Sequence, residues 1–585
     1  MYLALLLAAT AAMQQPITTY PVTHSSAQAD SIADDALIGL WGSESSSGPQ
    51  IRGEFTLAKA QSGWTAHVGG FILPAGANGD TIIVKLPGGQ GSFRGHLAVN
   101  NIQGFWIQPA GPFGVDYASP VVLHQEASGS WRGAIVPLDE RWSLYLRIAR
   151  APDGSLHGSF RNPEANWRGG AAAFTIVRNR DSLRLLDPTT GKQLNAIAYD
   201  SAGRRMLMDF GRQIVLTPRS RDDAVGYFAR SPANEHYTYG PPAARPADGW
   251  TVARGRDVGL DEKTLATLVQ QIISADSAPS NTPLVHSILI ARHGKLVLEE
   301  YFYGFDDTRI HDLRSASKTF TSVMVGAAML RGVDISPATS VYASFPGGAV
   351  LAASDSRRGH MTLGNLLTHT SGLACDDNDE ASPGGEDRLQ SQTAQSDRYR
   401  YMLALPMTHE PGSHYAYCSG GMNLAAGVLA QRTGRWLPAL FDEMVAQPLD
   451  ITHYAINLTP TGEMYGGGGV HMTPRDLLKF GALYLNHGSW RGRRVVSPEW
   501  VRESTSKQVS APTGADGFAW HLYTLTANGR SYREYEANGN GGQFLIVLPE
   551  LDIAVVFTAG NYGQYGIWRK FRDELMPRYV ISATR

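Results

Sequence analysis

Alternating apolar and polar residues dominate the first third of the chain. Leu144, Leu146 and Ile148 stand two residues apart, which places their side chains on one face of a strand. A turn signal, Pro152-Asp153-Gly154, separates this segment from the next alternating one and predicts a hairpin. Short strands joined by such turns predict an antiparallel all-β domain over residues 30–225, built as a barrel or as a sandwich.

A proline-rich segment follows this region. Pro232, Pro241, Pro242 and Pro246 occur among Ala, Gly and Tyr residues. Segments of this kind connect domains as extended linkers, or they run along a surface as straps. We therefore predict a domain boundary here, with a linker or a strap over residues 226–250.

The pattern beyond residue 250 combines helical and strand periods. Residues 261–275 have the spacing of an amphipathic helix, and residues 287–298 form a predicted hairpin. Residues 544–558 form a second predicted hairpin, which a last helix over residues 567–579 follows. Strands at both ends with helices between them predict one α+β domain over residues 251–582, whose sheet joins its own two ends.

Composition narrows the class of protein. A chain of 585 residues predicts two or three domains. Lys plus Arg number 51 and Asp plus Glu 53, and this balance argues against a nucleic-acid partner.

The apolar run at residues 3–13 predicts an export signal over residues 1–15 and a secreted or periplasmic protein, with an apolar N-terminal strand as the alternative. No later apolar run reaches the roughly 18 residues of a membrane span.

The candidate chemistry begins at Ser315 and Lys318, which are three residues apart and so share one face of a helix. The amine of Lys318 can then lie against the Ser315 hydroxyl, and a serine is a poor nucleophile until a neighbour takes its proton. Residues 319–330 are apolar nearly all round, which predicts a buried helix that ends at Gly332. Because lysine is almost never buried without a partner, a lysine at the start of this helix indicates a site.

The same Ser-x-x-Lys spacing occurs a second time, at Ser504 and Lys507. About one match is expected by chance in a chain of this length, so the spacing alone does not identify a nucleophile. Residues 508–512, Gln-Val-Ser-Ala-Pro, do not continue as a helix core. We therefore predict that Ser315, and not Ser504, is the nucleophile.

Two other segments carry candidate groups. A tyrosine near a lysine ammonium can have a lowered pKa and act as a general base, which makes Tyr417 a candidate, although taken alone it is better explained as a packed aromatic residue. The glycine-rich run at residues 539–542 leads into the strand predicted at 544–548, where glycine allows close approach by a ligand. A backbone N–H there can complete an oxyanion hole with that of Ser315, although taken alone the run indicates a plain turn.

In this order, the three segments resemble the motifs of the serine β-lactamase and penicillin-binding-protein superfamily. The nearest branch contains class C β-lactamases, D-aminopeptidases and related esterases. Residues 366–373, Leu-Leu-Thr-His-Thr-Ser-Gly-Leu, and residues 466–469, four glycines before a Thr-capped helix, are similar to further segments of that branch. The resemblance covers about residues 249–579. It implies an antiparallel sheet with a helical subdomain, and a hydrolase that acts through an acyl-enzyme without a cofactor.

The resemblance also implies roles for single residues. Ser315 would be acylated, and Lys318 and Tyr417 would move its proton, with the division between them left open. Ser419 stands where the family has an asparagine that contacts the substrate amide. These implied roles make Ser315, Lys318 and Tyr417 catalytic and Ser419 substrate-binding.

The resemblance aligns the turn at residues 539–541 with the family's Lys-Thr-Gly or His-x-Gly element, and we predict that Asn540, Gly541 and Gly542 bind substrate. This turn carries no cation. Because a buried carboxylate without a partner is costly to desolvate, we predict weak activity on substrates with a free carboxylate. An Arg or Lys from elsewhere in the fold would remove that expectation.

The two cysteines fall in segments that flank the same cleft if the resemblance holds. Cys375 follows the Ser-Gly-Leu segment, and Cys418 lies beside Tyr417. The resemblance therefore predicts a disulfide between them, with two buried free thiols as the alternative.

The remaining polar patterns point to no metal or cofactor. The acidic run at residues 376–380 lacks the glycine of a calcium loop, because Ala381 stands at that position, and we predict a solvated loop. The 17 histidines show no metal-ligand spacing.

The leading hypothesis is a serine hydrolase for a small-molecule or peptide ester or amide. The alternatives are a non-catalytic relative that binds peptide or cell-wall ligands, and a lipid- or sugar-binding β domain. The oligomeric state stays open.

Overall fold

The computed structural model describes residues 34–60, 63–110, 114–127, 129–164, 173–179, 181–209, 213–277 and 281–585. The predicted export signal over residues 1–15 lies outside these described residues. Within the same ranges, we find no helix with both the length and the apolar character that a membrane crossing requires.

Among the residues that the structure describes, the N-terminal region contains sixteen strands. In chain order they are β1 (Gly39–Ser47), β2 (Gly53–Ala60), β3 (Gly63–Val68), β4 (Phe71–Asn78), β5 (Thr81–Lys85), β6 (Ser92–Leu97), β7 (Asn101–Gln108), β8 (Tyr117–Gln125), β9 (Ser130–Ile135), β10 (Glu140–Arg150), β11 (Leu156–Arg161), β12 (Phe174–Asn179), β13 (Ser182–Leu186), β14 (Gln193–Asp200), β15 (Arg205–Asp209) and β16 (Gln213–Arg219).

These strands form two closed antiparallel barrels, where the sequence pattern predicts one barrel or sandwich. The first barrel consists of β1 and β10–β16. The second consists of β2–β9 and closes because β9 pairs with both β2 and β8. The second barrel is thus inserted between β1 and β10, and the alternating pattern runs on unchanged through the insertion, so the sequence shows no boundary.

Side chains fill both barrel interiors. Leu144, Leu146 and Ile148 are buried in the first barrel, as their alternation predicts, and Trp41 packs edge-on against Tyr199 there. The second barrel has its own core of apolar side chains, with two phenylalanine rings in contact at its centre. Each barrel is therefore closed around a packed core, as small barrels usually are.

The proline-rich segment is attached to the C-terminal region along its length. The Tyr239 hydroxyl donates to the Val297 carbonyl at 2.8 Å. The Trp250 indole donates to the Arg475 carbonyl at 3.2 Å, and the Arg475 guanidinium pairs with the Asp248 carboxylate. Of the two predicted alternatives, these contacts support the strap.

The described part of the C-terminal region contains fourteen strands. They are β17 (Thr251–Val252), β18 (Val285–Arg292), β19 (Lys295–Tyr301), β20 (His311–Asp312), β21 (Tyr454–Asn457), β22 (Val470–Met472), β23 (Ser489–Trp490), β24 (Arg493–Arg494), β25 (Val509–Ala511), β26 (Gly514–Asp516), β27 (His521–Ala527), β28 (Arg530–Gly539), β29 (Gln543–Leu548) and β30 (Ile553–Ala559).

The main sheet has the order β17-β19-β18-β30-β29-β28-β27-β26-β25 and is antiparallel apart from the β17–β19 pair. Both predicted hairpins are present, as β18–β19 and β29–β30, and β18 pairs with β30. Strands from the two ends of the domain therefore lie side by side, as predicted.

The helices lie mainly between these two hairpins in sequence. They are α1 (Glu262–Ile273), α2 (Lys318–Leu330), α3 (Gly348–Ala353), α4 (Leu363–Leu367), α5 (Glu386–Ser391), α6 (Arg398–Ala404), α7 (Ser419–Thr433), α8 (Leu437–Phe441), α9 (Pro474–Leu485), α10 (Pro498–Ser504) and α11 (Tyr565–Lys570). The last predicted helix is present, but only its first part is α-helical. A π-helical segment, Phe571–Ile581, continues α11 and contains Pro577, whose missing N–H disrupts a regular α-helix.

A small second sheet joins the inserted barrel to the C-terminal region. Its order is β8-β21-β22-β20, so barrel strand β8 pairs with β21 through Ala118 and Tyr117. At the other side, β20 immediately precedes the turn that contains Ser315. One continuous set of backbone hydrogen bonds thus runs from the barrel to the candidate nucleophile.

Candidate active site

Ser315 lies in a tight turn between β20 and the buried helix α2. Arg314–Ser317 form a 3₁₀ turn, in which Arg314 has a φ of 50°. The Asp312 carboxylate accepts a hydrogen bond from the Arg314 backbone N–H at 2.9 Å and pairs with the guanidinium at 2.8 Å, which holds this uncommon conformation. The turn presents Ser315 at the N-terminal end of α2, where free backbone N–H groups favour negative charge.

Lys318 is the first residue of α2 and is only 3% exposed. Its Nζ donates to Ser315 Oγ at 2.8 Å and to the Gly467 carbonyl at 2.7 Å. The second contact comes from the glycine run at residues 466–469, which packs closely here: a Cβ on Gly467 would lie 2.6 Å from the Ser419 carbonyl oxygen. The buried ammonium therefore has two fixed oxygen partners, and one of them is the candidate nucleophile.

Tyr417 lies beside this pair. The Lys318 ammonium is 4.9 Å from the centre of the Tyr417 ring, and the electrostatic interactions of the tyrosine side chain include ones with both Ser315 and Lys318. Burial raises the pKa of Tyr417 above its ordinary value, although the lysine charge opposes that shift. Burial lowers the pKa of Lys318, but interactions with Tyr417, Glu386 and Asp377 outweigh it and raise the pKa overall. The resting pair at neutral pH is therefore an ammonium and a neutral phenol.

Asp377 corrects the prediction of a wholly solvated acidic loop at residues 376–380. Its carboxylate turns inward and accepts hydrogen bonds from the Ser419 backbone N–H at 2.8 Å and hydroxyl at 2.6 Å, at the start of α7. Burial, reinforced by the neighbouring Glu386 carboxylate, raises the pKa of Asp377 to about 6. The donors at the start of the helix make burial of this carboxylate possible.

The same contact locates Ser419. Its side chain is fully buried, and its hydroxyl is bound to Asp377. The structure therefore links Ser419 to Asp377, one of the carboxylates that interact with Lys318. The substrate-binding role of Ser419 stays a prediction.

The predicted disulfide between Cys375 and Cys418 is confirmed, with their Cα atoms 5.5 Å apart. The two segments that the disulfide joins are also linked by a hydrogen bond, which the Asp377 N–H donates to the Tyr417 carbonyl at 2.8 Å. The cross-link thus ties the segment that contains Tyr417 to the acidic loop.

The turn at residues 540–542 connects β28 to β29 beside the nucleophile. Gly539 packs directly on the serine turn, since a Cβ at this position would lie 2.3 Å from the Leu313 carbonyl oxygen. The Asn540 side chain accepts a hydrogen bond from the Gly563 N–H at 2.8 Å, and Gly541 and Gly542 have φ values of 100° and 99°. The glycines satisfy the backbone and space requirements of this turn, and the substrate-binding role of residues 540–542 stays a prediction.

His369 is a neighbour that motif reasoning did not place in the site. It belongs to the Leu-Leu-Thr-His segment, and its ring lies 4.6 Å from that of Tyr417. Its Nδ1 accepts a hydrogen bond from the Cys418 N–H at 3.2 Å, and burial lowers its pKa to about 3. The imidazole is therefore neutral and fixes the backbone next to Tyr417.

His521 and Asp516 are two further residues that sequence reasoning missed. His521 Nδ1 donates to Asp516 Oδ1 at 2.8 Å, and the Tyr415 hydroxyl donates to the other Asp516 oxygen at 2.8 Å. A small cavity opens between this pair and the nucleophile, and its lining includes Ser315, Lys318, His369, Asp516, His521 and Asn538. No sequence motif marks the pair, because its members lie on the short strands β26 and β27.

Across the described ranges, no group of three or more His, Cys, Asp or Glu side chains has the arrangement of a metal site.

Comparison with known proteins identifies the family of this region. Residues 282–565 match the family model described as Beta-lactamase. The 6-aminohexanoate-dimer hydrolase of Paenarthrobacter ureafaciens is 26% identical over 342 residues, which cover 53% of this chain and 85% of that protein. The D-alanyl-D-alanine-carboxypeptidase/endopeptidase AmpH of Escherichia coli K12 is 25% identical over 272 residues, 41% of this chain and 68% of that protein.

Among solved structures, a family VIII carboxylesterase is 18% identical, covers 57% of this chain and 98% of its own, and has a TM-score of 0.42. The residues that the family model matches include Ser315, Lys318 and Tyr417. This part of the chain therefore belongs to the β-lactamase family, within the superfamily of serine β-lactamases and penicillin-binding-like proteins.

Proposed function

We propose that the protein is a serine hydrolase that forms an acyl-enzyme at Ser315 and acts on an ester or amide. The observation that carries this proposal is the 2.8 Å hydrogen bond from Lys318 Nζ to Ser315 Oγ at the head of a buried helix, with Tyr417 beside both groups. Burial of a lysine ammonium costs free energy, and a role in activating the adjacent serine explains why a lysine occupies this position.

The arrangement supports a two-step reaction. Ser315 Oγ attacks the carbonyl carbon as its proton passes to the Lys318–Tyr417 network, and the backbone N–H groups of Ser315 and of the turn at 540–542 stabilise the oxyanion. The bond to the leaving group then breaks as the network returns the proton to it, which leaves an ester on Ser315. Water attacks this ester by the reverse proton route and releases the acid.

The resting protonation states add a condition. Because Lys318 is an ammonium and Tyr417 a neutral phenol, the network must release one proton before it can accept that of Ser315. Activity should therefore increase as the pH rises above neutral.

The non-catalytic alternative has less support. A binding protein does not require the hydrogen bond from Lys318 to Ser315, nor a buried ammonium that is costly without its partners. The names of the two relatives, a hydrolase and a carboxypeptidase/endopeptidase, also support catalysis.

Covalent labelling tests the proposal. A fluorophosphonate probe should label Ser315, as identified by peptide mass spectrometry, and intact mass should show acylation by members of a panel of esters, D-peptides and β-lactams. Ser315→Ala should abolish labelling, and Ser504→Ala, the matched control with the same spacing, should retain it. Absence of any label on the folded protein, or a label at another residue, would contradict the proposal.

We also propose that the protein acts outside the cytoplasm. Support comes from the apolar run at residues 3–13 and from the Cys375–Cys418 disulfide, since such bonds persist in oxidising compartments. N-terminal sequencing of protein from culture fluid or periplasm should find a start near residue 15, and recovery only from the cytoplasm with Met1 intact would contradict this.

A further inference from the structure

His521 is a partly exposed side chain of the cleft, and its contact with Asp516 uses one of its two ring nitrogens. It lines the cavity beside Ser315, and its side chain is 20% exposed, against 3% for its partner Asp516. Its Nδ1 is bound to the Asp516 carboxylate, so Nε2 is the nitrogen that a ligand can reach. The other cation of the cavity, Lys318, already donates to Ser315 and Gly467.

Several charged and titratable groups surround this imidazole. Asp516 faces it from β26, and Glu536 stands directly across from it on β28. The Tyr417 ring stacks at 6.3 Å, and Lys318 opposes a second positive charge from α2. Burial alone lowers the pKa of His521, but the two carboxylates outweigh burial and the lysine, so its pKa rises above the ordinary value.

A second layer determines the charge of these neighbours. Glu536 is fully buried and pairs with Arg572 at 3.0 Å, and Asn538 donates to it at 2.7 Å. Burial and the charge of Glu536 raise the pKa of Glu534, the next residue on the same face of β28, well above its ordinary value, which favours the uncharged form of Glu534. His369 is also neutral. The Glu536 carboxylate is thus paired with the Arg572 guanidinium, and the Asp516 carboxylate is paired with His521.

We propose that His521 binds a negatively charged group of the substrate, a carboxylate, and thereby supplies from β27 the charge that the turn at residues 539–541 lacks. This inference rests on the proposed function. It reverses the expectation, drawn from the uncharged turn, that substrates with a free carboxylate react poorly. The Asp516 carboxylate and the Tyr415 hydroxyl are positioning groups, because Asp516 holds the imidazole through Nδ1 and Tyr415 holds the Asp516 carboxylate.

The inference predicts a selective effect on binding. The measurement is kcat and KM for a substrate with a free carboxylate and for its methyl ester, in the wild type, His521→Gln and His293→Gln. The wild type should prefer the free acid. His521→Gln should raise KM for the acid about 10- to 100-fold, the usual loss for a charge-assisted contact, and leave KM for the methyl ester nearly unchanged. His293, an exposed histidine that also pairs with a carboxylate at 2.8 Å, serves as the matched control and should show no effect.

The pH dependence supplies a second readout. KM for the free acid should increase as the pH rises through the pKa of His521, because the charged form is lost, whereas KM for the methyl ester should not follow it. His521→Gln should remove this difference. Asp516→Asn keeps the imidazole but removes the carboxylate that raises its pKa, so the preference for the free acid should be confined to lower pH. If His521→Gln does not fold, the Asp516→Asn variant tests the inference in its place.

Two results would overturn the inference: a wild type that prefers the methyl ester at every pH, or variants that keep the wild-type preference for the acid. Failure of the proposed function looks different. In that case the folded wild type would not be labelled at Ser315 by the uncharged fluorophosphonate, whatever residue 521 is.

Discussion

Two segments of this chain share the Ser-x-x-Lys spacing, and the fold places them in opposite situations. Ser315 precedes the first turn of α2, so Lys318 begins the helix and its amine reaches back to the serine at 2.8 Å. Ser504 ends α10, its hydroxyl donates to the Trp500 carbonyl at 2.7 Å, and Lys507 is exposed beyond the helix. The two residues of a pair meet only when the helix continues through the lysine.

The difference also concerns what each serine can do with its proton. At the start of a helix the free groups are N–H donors, which favour an oxyanion, and at the end they are carbonyl oxygens, which hold a serine hydroxyl as a donor. Lys318 is buried and has oxygen partners, whereas water solvates Lys507. The position of a motif within its helix therefore decides its chemistry more than its spacing does.

The largest expected effect tests this comparison directly. Ser315→Ala should lower kcat/KM at least about 10⁴-fold, because the acyl-enzyme cannot form, whereas Ser504→Ala should change it less than about twofold. Hydrolysis of a chromogenic ester measures both values. If the Ser504 variant lost activity and the Ser315 variant kept it, the assignment of Ser315 as the nucleophile would be wrong.

A smaller effect is expected at the proton network that only the first pair possesses. Lys318→Ala and Tyr417→Phe should each lower kcat at least about 100-fold, and the double variant should lose much less than the product of the two, because both residues serve one network. In the wild type, kcat/KM should rise with pH above neutral as the network loses its proton. Lys507→Ala is the control and should leave the pH profile unchanged. Strictly multiplicative effects would count against a shared network.

The smallest effect on turnover is expected at the disulfide that supports Tyr417. Replacing Cys375 and Cys418 together by serine should lower the free energy of unfolding by about 4 kcal/mol in the chain-entropy model, because the bond closes a loop of 43 residues. Turnover at low temperature should fall less than in Tyr417→Phe. Urea unfolding and ester hydrolysis measure the two quantities, and a double variant with wild-type stability would show that the cross-link is not structural.

Much of the C-terminal domain could be predicted because its signals are local. Thr473, for example, caps α9 through a hydrogen bond to the Asp476 N–H, as its sequence context indicates. The Ser315–Lys318 contact follows from helix geometry once the helix is known to be buried. The disulfide needed the family resemblance, since spacing alone does not pair cysteines.

The rest depends on contacts that no local pattern encodes. His521 and Asp516 meet because β26 and β27 pair, and Asp377 is buried because Ser419 lies at the start of another helix. The two barrels share one alternating pattern, and closure through the pairing of β9 with β2 and β8 is a property of register across the whole sheet. Pairings that are distant in sequence thus account for both the missed site residues and the missed barrel.

The pairing between barrel strand β8 and β21 has a consequence for how this chain can be divided. The N-terminal end of β8 bonds β21 through Tyr117 and Ala118, and its other end closes the barrel against β9. A cut within the strap would leave an open backbone edge at residues 117–118 on one half and at 456–457 on the other, and open edges recruit strands from other molecules and promote aggregation. We therefore expect the two halves to be more prone to self-association when separated than the whole chain is.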